Sequence, residues 1–324
     1  MSNNKNIVSE KNRVSELPIE TVGLGNGGQE CPHVLTFYDK GTNTLTYIVK
    51  DPLSQSCAIV DSVLNFDYAS GSITYHSADN IIEYVRNESL QVELLLETHV
   101  HADHLSAAPY LQQELGGKIA ISKHIVEIQN EFGRLFNEGT EFERDGSQFD
   151  VLFDENQTFA IGNLQCVAMY TPGHTPACTT YVVGDAAFVG DTLFMPDSGT
   201  ARVDFPGGDA STLYQSIKKI LSLPPHTRLF VCHDYQPNGR ELAFETSVEE
   251  QLARNIHVKT SIEEQEFIAM RESRDKTLNM PRLILPSLQV NMRAGHFPDP
   301  EENQTHYLKV PLSGLNNKDK NSNY

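Results

Sequence analysis

The chain has 324 residues, of which 39% are hydrophobic and 21% are charged, so we expect a folded globular protein of one large or two ordinary domains. Acidic residues outnumber basic residues by 43 to 25, and the formal net charge is -18. This charge argues against a nucleic-acid partner and against an anionic membrane surface, because both attract lysine and arginine.

The sequence also suggests a compartment. No apolar run reaches the roughly 18 residues of a membrane span, and the polar N-terminus lacks the apolar core of a secretory signal. The five cysteines are an odd number, and none belongs to a C-x-x-C pair. We therefore expect free thiols in a reducing cytoplasm. The cysteines are Cys31, Cys57, Cys166, Cys178 and Cys232.

The first hundred residues alternate between strand-like and helix-like patterns. Residues 1–30 are predicted to be a flexible lead, whose glycine-rich run at 23–28 lacks the Lys-Ser/Thr ending of a phosphate-binding loop. Helical spacing predicts a helix at 77–88. Segments rich in β-branched and aromatic residues, or nearly continuous in apolar residues, predict strands at 34–38, 45–49, 58–61 and 92–96.

The rest of the chain continues this alternation. Helices are predicted at 105–115, around 125–132 and at 211–223, with a helix-rich segment at 241–274 and an irregular end after it. Strands are predicted within 151–189 and at 229–232. Residues 313–324 are polar and are expected to fray. We therefore predict one folded domain over 31–300 and a C-terminal tail over 301–324.

Three histidines and one aspartate lie within six residues, directly after the predicted buried strand at 92–96. Alternate side chains of an extended segment point the same way, so His99 and His101 can converge on one ion. Asp103 and His104 can then face a second ion beside it. Imidazole nitrogen and carboxylate oxygen are ligands that suit zinc, iron or manganese.

Later segments place further ligand-type residues at strand ends. His174 follows the sharp turn Pro172-Gly173, Asp191 follows Gly190, and His233 ends the predicted strand at 229–232. Such strand-end loops build active sites because a rigid scaffold positions their side chains. With the first cluster they complete a dinuclear site in which Asp191 can bridge two ions. The sequence therefore predicts a metal centre.

The pattern H-x-H-x-D-H, with later His, Asp and His ligands, resembles the metallo-β-lactamase superfamily. The resemblance covers residues 36–298 and implies an α/β fold, the four-layer αββα sandwich, with the metal site along one edge of the two sheets. The domain over 31–300 would then be the catalytic domain.

Within this superfamily several motifs are similar to the glyoxalase II and persulfide dioxygenase branch, at 98–107, 171–176 and 188–194. Four more favour persulfide dioxygenase, at 202–205, 212–217, 232–235 and 290–295. The loop at 197–201 looks like that of the bacterial β-lactamase-hydrolase-like group.

The resemblance implies one Fe(II) per chain, held by His99, His174 and Asp191, the two-His, one-carboxylate arrangement that leaves positions open for substrate and O₂. The remaining residues with catalytic roles would orient ligands or water; they are His101, Asp103, His104 and His233. The substrates would be glutathione persulfide and O₂, with sulfite and glutathione as products. Arg202, Arg293 and Tyr235 are the predicted substrate-binding residues.

The rival interpretation is a dinuclear zinc hydrolase of the glyoxalase II or lactonase kind, in which all seven residues would hold two zinc ions. Sequence alone does not separate the two, because the same residues serve both. A homodimer stays open as an assembly, and we expect neither nucleic acid nor membrane as a partner.

Overall fold

The computed structural model describes residues 18–22 and 31–312. The strands in these ranges are, in chain order, β1 (Ile19–Val22), β2 (His33–Asp39), β3 (Thr44–Lys50), β4 (Ser56–Val60), β5 (Val63–Asp67), β6 (Ser72–Thr74), β7 (Gln91–Leu96), β8 (Leu105–Ser106), β9 (Lys118–Ser122), β10 (Val151–Phe153), β11 (Gln157–Ile161), β12 (Leu164–Tyr170), β13 (Thr179–Val183), β14 (Ala186–Phe188), β15 (Arg228–Phe230) and β16 (Glu245–Ser247). The helices are α1 (His76–Asn87), α2 (Ala108–Leu115), α3 (Ile125–Leu135), α4 (Ala210–Ile220), α5 (Val248–Arg254), α6 (Glu264–Asp275) and α7 (Ile284–Asn291).

Two large sheets form the centre of the domain. One has seven strands in the order β1-β2-β3-β4-β7-β9-β10, and the other has six in the order β11 to β16. Alternate side chains of the first sheet divide between two cores, as Val34 and Leu35 on β2 illustrate. One core, with Val34, lies against the second sheet and α4; the other, with Leu35, lies against α1, α2, α3 and α7. These layers confirm the predicted four-layer αββα sandwich.

Aromatic side chains join the two sheets. Tyr47 on β3 contacts Phe188 and Phe230 of the second sheet, with ring centroids 5.3 and 5.4 Å away. Phe188 and Phe230 stack at 5.1 Å, and the Tyr47 hydroxyl donates to the carbonyl of Val231. The contact lies directly beneath the ends of β14 and β15, which carry Asp191 and His233, so the packing of the sheets fixes the base of the predicted metal site.

Most predicted elements are confirmed, but three differ. Ile19–Val22, inside the expected flexible lead, forms β1 and pairs antiparallel with β2. The predicted helix at 105–115 begins only at Ala108, because Leu105–Ser106 pairs with β5 and Pro109 suits the first helical turn. The expected irregular end contains α7, which is buried on nearly all sides and so shows no amphipathic pattern. The glycine-rich run at 23–28 and residues 313–324 lie outside the described residues.

Within 18–22 and 31–312, no helix combines the length and the apolarity needed to cross a membrane.

The aromatic contact gives a test of the sheet packing. Replacing Phe188 with alanine should lower the free energy of unfolding by about 3–5 kcal/mol, because a large side chain leaves a cavity between two rigid sheets. Leu53→Ala is the matched control, since Leu53 is 53% exposed and its loss should change stability by no more than about 0.5 kcal/mol. Urea unfolding at fixed metal concentration measures both values, and equal losses would contradict the assigned core.

Candidate metal centre

Four strand ends bring the ligand-type residues together. The loop after β7 carries His99 to His104, the turn between β12 and β13 carries His174, and Asp191 and His233 follow β14 and β15. Four overlapping groups of potential ligands result, and two of them share no residue: a first group of His99, His174 and Asp191, and a second group of His101, Asp103 and His104. In each group the ligand atoms lie within 4.8 Å of one another. The predicted convergence of the strand-end loops is therefore present.

The first group is arranged around one carboxylate oxygen. Oδ2 of Asp191 lies 3.8 Å from Nε2 of His99 and 3.6 Å from Nε2 of His174. Both histidines are almost completely buried, at 2% and 3% exposure, whereas Asp191 is only partly buried. Three ligands thus share one small space and leave one side of it open.

Hydrogen bonds fix which nitrogen of each imidazole carries the proton. Nδ1 of His174 donates to the carbonyl of Arg202 at 2.7 Å. Nδ1 of His99 lies 2.9 Å from the Thr98 hydroxyl, which itself donates to Asp61 and can only accept from the imidazole. Burial and the neighbouring imidazoles lower the pKa of His99 well below its usual value. Both Nε2 atoms therefore carry lone pairs, the form that binds metals.

His233 lies between the other oxygen of Asp191 and the second group. Nε2 of His233 is 3.3 Å from Oδ1 of Asp191 and 3.2 Å from Oδ2 of Asp103. Although burial opposes its charge, Asp103 has a lowered pKa because His233 and His104 lie close to its carboxylate. Asp191 therefore faces both groups with one oxygen each.

Several buried polar atoms here have no hydrogen-bond partner among the described residues: His101 Nδ1, His104 Nε2, His233 Nε2 and Asp191 Oδ1. Burying a polar atom without a hydrogen-bond partner costs free energy, so several such atoms at one place indicate a site for a bound cation. Imidazole and carboxylate donors suit a transition metal, so the site fits the predicted metal.

His101 is held differently from the other histidines. Its Nε2 lies 3.1 Å from Asp61 Oδ1 and 3.1 Å from Glu97 Oε2, and Ser106 donates to the other oxygen of Glu97. Burial alone would lower the pKa of His101, but the two carboxylates raise it well above its usual value. Sequence reasoning missed both acids, although each directly follows a predicted strand core.

The structure places Arg293 of the motif at 290–295 away from the cavity at the metal centre. Arg293, predicted to bind substrate, pairs with Glu138 at 2.7 Å and lies over the ring of Phe142. It lines a separate cavity that shares no lining residue with the one at the metal centre. Asn291 of the same motif instead supports the metal loop, since its side chain donates to the carbonyls of His101 and His104 and accepts from the Ser106 amide.

A cavity of about 450 Å³ opens over the metal centre, with Asp103, His174 and Asp191 in its wall. Arg202 and Tyr235, both predicted to bind substrate, also line it. Arg202 pairs with Asp204 at 2.5 and 2.6 Å, and Tyr235 stacks on His233 with ring centroids 5.9 Å apart. Three further arginines of the wall have no local signature that the sequence analysis could have found: Arg271, Arg274 and Arg282.

Comparisons with known proteins agree with this geometry. The profile of the Metallo-beta-lactamase superfamily matches residues 40–233. A Burkholderia pseudomallei protein named probable metallo-hydrolase is 55% identical over 289 residues, covering 86% of this chain and 98% of that protein. Bacterial proteins named beta-lactamase hydrolase-like also match. The chain belongs to the metallo-β-lactamase superfamily.

Relatives of a second kind are more distant. The mitochondrial persulfide dioxygenase ETHE1 of mouse is 29% identical, covering 78% of this chain and 84% of that protein. The crystal structure of ETHE1 from Myxococcus xanthus matches with a TM-score of 0.65 and 27% identity, covering 81% of this chain and 99% of that one. The chain is therefore similar both to proteins with hydrolase-like names and to a dioxygenase.

The support that Asn291 gives to the metal loop can be tested. Asn291→Ala removes three hydrogen bonds to the loop and should lower metal affinity about 10–100-fold, because outer partners orient the ligands. His296→Asn, an exposed change next to the same motif, is the control and should leave affinity unchanged. Competition with a chromogenic chelator measures both, and unchanged affinity in the alanine variant would refute the assigned role.

Proposed function

We propose that the protein is a persulfide dioxygenase that oxidises glutathione persulfide with O₂ to sulfite and glutathione, using one Fe(II) per chain. The observation that carries the proposal is the first ligand group, in which His99, His174 and Asp191 form the two-His, one-carboxylate arrangement. Such a triad leaves adjacent positions for two reactants. Iron held there would supply the one-electron chemistry that O₂ requires.

The chain's own residues bind and orient the substrate in this proposal. The cavity wall has the amphipathic surface a tripeptide needs, with Phe194, Phe205 and Leu283 beside polar side chains. The ring of Tyr235 stacks on that of His233, and its hydroxyl is a hydrogen-bond donor of the cavity wall. Asp103 and His233 hold polar atoms beside Asp191, where they can orient water or the persulfide.

The charges of the wall favour an anionic substrate such as glutathione, which carries two carboxylates. Arg202 and Arg271 are already paired, with Asp204 and Asp275 respectively. Arg274 and Arg282 are exposed, and their side chains make no hydrogen bond or ion pair with any residue of 18–22 and 31–312. Arg274 and Arg282, which have no ion-pair partner among the described residues, therefore place positive charge in the cavity wall of a chain whose net charge is -18. This local positive charge favours the binding of an anion.

The second candidate is a dinuclear zinc hydrolase of the glyoxalase II or lactonase kind. It is favoured by the four orphaned atoms, three of which lie on His104, His233 and Asp191 next to Asp103, and by the hydrolase-like names of the more similar relatives. Two zinc ions there would activate a hydroxide for attack on a thioester or ester.

For localisation we propose the cytoplasm. None of the four buried cysteines forms a disulfide, although each is fully enclosed, as expected in a reducing compartment.

Metal content and oxygen uptake on one sample separate the two candidates. Protein made in iron-supplied cells should contain about one iron per chain and should consume O₂ with glutathione persulfide. His174→Ala should abolish the uptake, while the exposed change His226→Asn should leave it intact. Two zinc ions per chain, with rapid thioester cleavage and no O₂ uptake by iron-loaded protein, would replace the proposal with the hydrolase.

The unpaired arginines predict a second result. Arg274→Gln or Arg282→Gln should raise KM for glutathione persulfide about tenfold with kcat unchanged, because a charge-assisted contact to a remote carboxylate binds ground state and transition state alike. Lys276→Gln, another exposed cation just past α6 and outside the cavity wall, is the matched control. Steady-state kinetics measure the effect, and equal KM values in all variants would remove these arginines from the substrate site.

A further inference from the structure

A row of hydrogen bonds lies behind two imidazoles of the metal centre. Thr44, the first residue of β3, is completely buried. Its hydroxyl oxygen lies 3.4 Å from Nδ1 of His104 and 3.4 Å from Nδ1 of His233. One hydroxyl therefore contacts both histidines on the side away from their orphaned Nε2 atoms.

The direction of this row follows from its far end. The Thr42 hydroxyl donates to Oδ1 of Asp39 at 2.9 Å, which uses its only proton. Thr42 and Thr44 hydroxyls are 2.7 Å apart, so Thr44 must be the donor in that contact. The Thr44 oxygen then has only lone pairs left for the imidazoles. An imidazole that hydrogen-bonds to this oxygen must therefore donate from Nδ1.

Asp39 acts as an acceptor only. Besides the Thr42 hydroxyl, its carboxylate accepts from the Thr42 amide, from the Asn65 side chain and from the Ser77 hydroxyl, at 2.8–2.9 Å. It also lines a cavity of about 520 Å³ that is separate from the cavity over the metal centre except at Gly41. The row thus begins at an anion outside the metal centre.

The backbone holds Thr44 in place. The backbone amide of Leu45 donates to the carbonyl of Cys232 at 2.8 Å, and the backbone amide of Asp234 donates to the carbonyl of Asn43 at 3.2 Å. These two bonds pair the start of β3 with the residues on either side of His233. The Thr44 hydroxyl is therefore fixed against the imidazole by the main chain on both sides.

We propose that Asp39, Thr42 and Thr44 form a positioning chain that holds His104 and His233 as Nδ1–H tautomers. Their Nε2 atoms then stay unprotonated and face the centre. The chain opposes the carboxylates of Asp103 and Asp191, which lie 3.2 and 3.3 Å from Nε2 of His233 and favour a proton there in metal-free protein. The inference needs a metal centre at this place but does not depend on which reaction the centre performs.

Two other acceptors compete with Thr44. The Asn43 carbonyl lies 3.3 Å from Nδ1 of His233, and Oδ1 of Asp103 lies 3.3 Å from Nδ1 of His104. If these acceptors alone set the tautomers, removal of the Thr44 hydroxyl would change nothing.

Nitrogen-15 NMR of histidine-labelled, full-length protein reads the tautomers directly, in metal-free protein at neutral pH and again after one equivalent of zinc. In the unaltered chain both Nδ1 atoms should appear as N–H nitrogens and both Nε2 atoms as bare nitrogens. Thr44→Val keeps the shape but removes the hydroxyl, and should shift the tautomer ratio of both histidines about tenfold toward Nε2–H in the metal-free state. Thr44→Ser should restore the original ratio.

Thr46→Val is the matched control, because Thr46 is a buried threonine of the same strand whose hydroxyl bonds only to the Asp61 carbonyl. In Thr46→Val the tautomer ratios of His104 and His233 should equal those of the unaltered chain. Thr42→Val, in the half-buried turn, should move the ratio in the same direction as Thr44→Val and serves if the latter does not fold. Unchanged tautomers in the folded Thr44 or Thr42 variant would overturn the proposal, as would an equal shift in Thr46→Val.

Metal affinity gives a second readout. Thr44→Val should weaken zinc binding about 10–100-fold, and Asp39→Asn should weaken it in the same direction but less. Loss of zinc affinity without any tautomer change would show a merely structural role for Thr44 and would overturn the positioning chain. Failure of the oxygen-uptake test would leave these measurements unaffected, so the two proposals fail separately.

Discussion

The metal centre depends on the buried carboxylate of Asp61, which follows β4. One oxygen accepts the Thr98 amide and lies 3.1 Å from His101, and the other accepts the Thr98 hydroxyl. That hydroxyl in turn fixes the tautomer of His99. Asp61 itself has a φ of +54°, a conformation that costs a non-glycine residue roughly 1–3 kcal/mol. Three contacts of the carboxylate, to the Thr98 amide, the Thr98 hydroxyl and His101, offset this cost and hold the loop in place.

The same principle extends across the site, because each ligand is oriented by a partner on its far side. His174 donates to the Arg202 carbonyl, and His101 contacts the carboxylates of Asp61 and Glu97. The Asn291 side chain hydrogen-bonds to the backbone of the metal loop. A protein of net charge -18 thus uses several of its acids inside the domain, where each has donors to offset its burial. His99 and His174 are left with Nε2 lone pairs directed inward, which is the state that a metal requires.

The sequence predicted the fold and the seven candidate ligands because both leave local signals. Strand and helix periods are visible in short windows, and the spacing H-x-H-x-D-H places several ligands within one loop. Arg293 shows what a local motif does not determine. Its motif matched a family pattern, but the packing of α7 determines which side chain faces the metal loop. Asn291 hydrogen-bonds to the loop, whereas Arg293 pairs with Glu138. Asp61 escaped notice because its role arises from contacts with residues that are distant in the sequence, and no spacing rule connects it to the histidines.

Arg202 links the orientation of His174 to the cavity over the metal centre. Its carbonyl accepts the proton of His174, while its side chain lines the cavity and pairs with Asp204. The loop before it is anchored by Arg271 of α6, which donates to the Thr200 carbonyl. The amide of Val203 after it donates to Asp275 at the end of the same helix. Helix α6 thus holds the segment around Arg202 on both sides, and this segment orients His174.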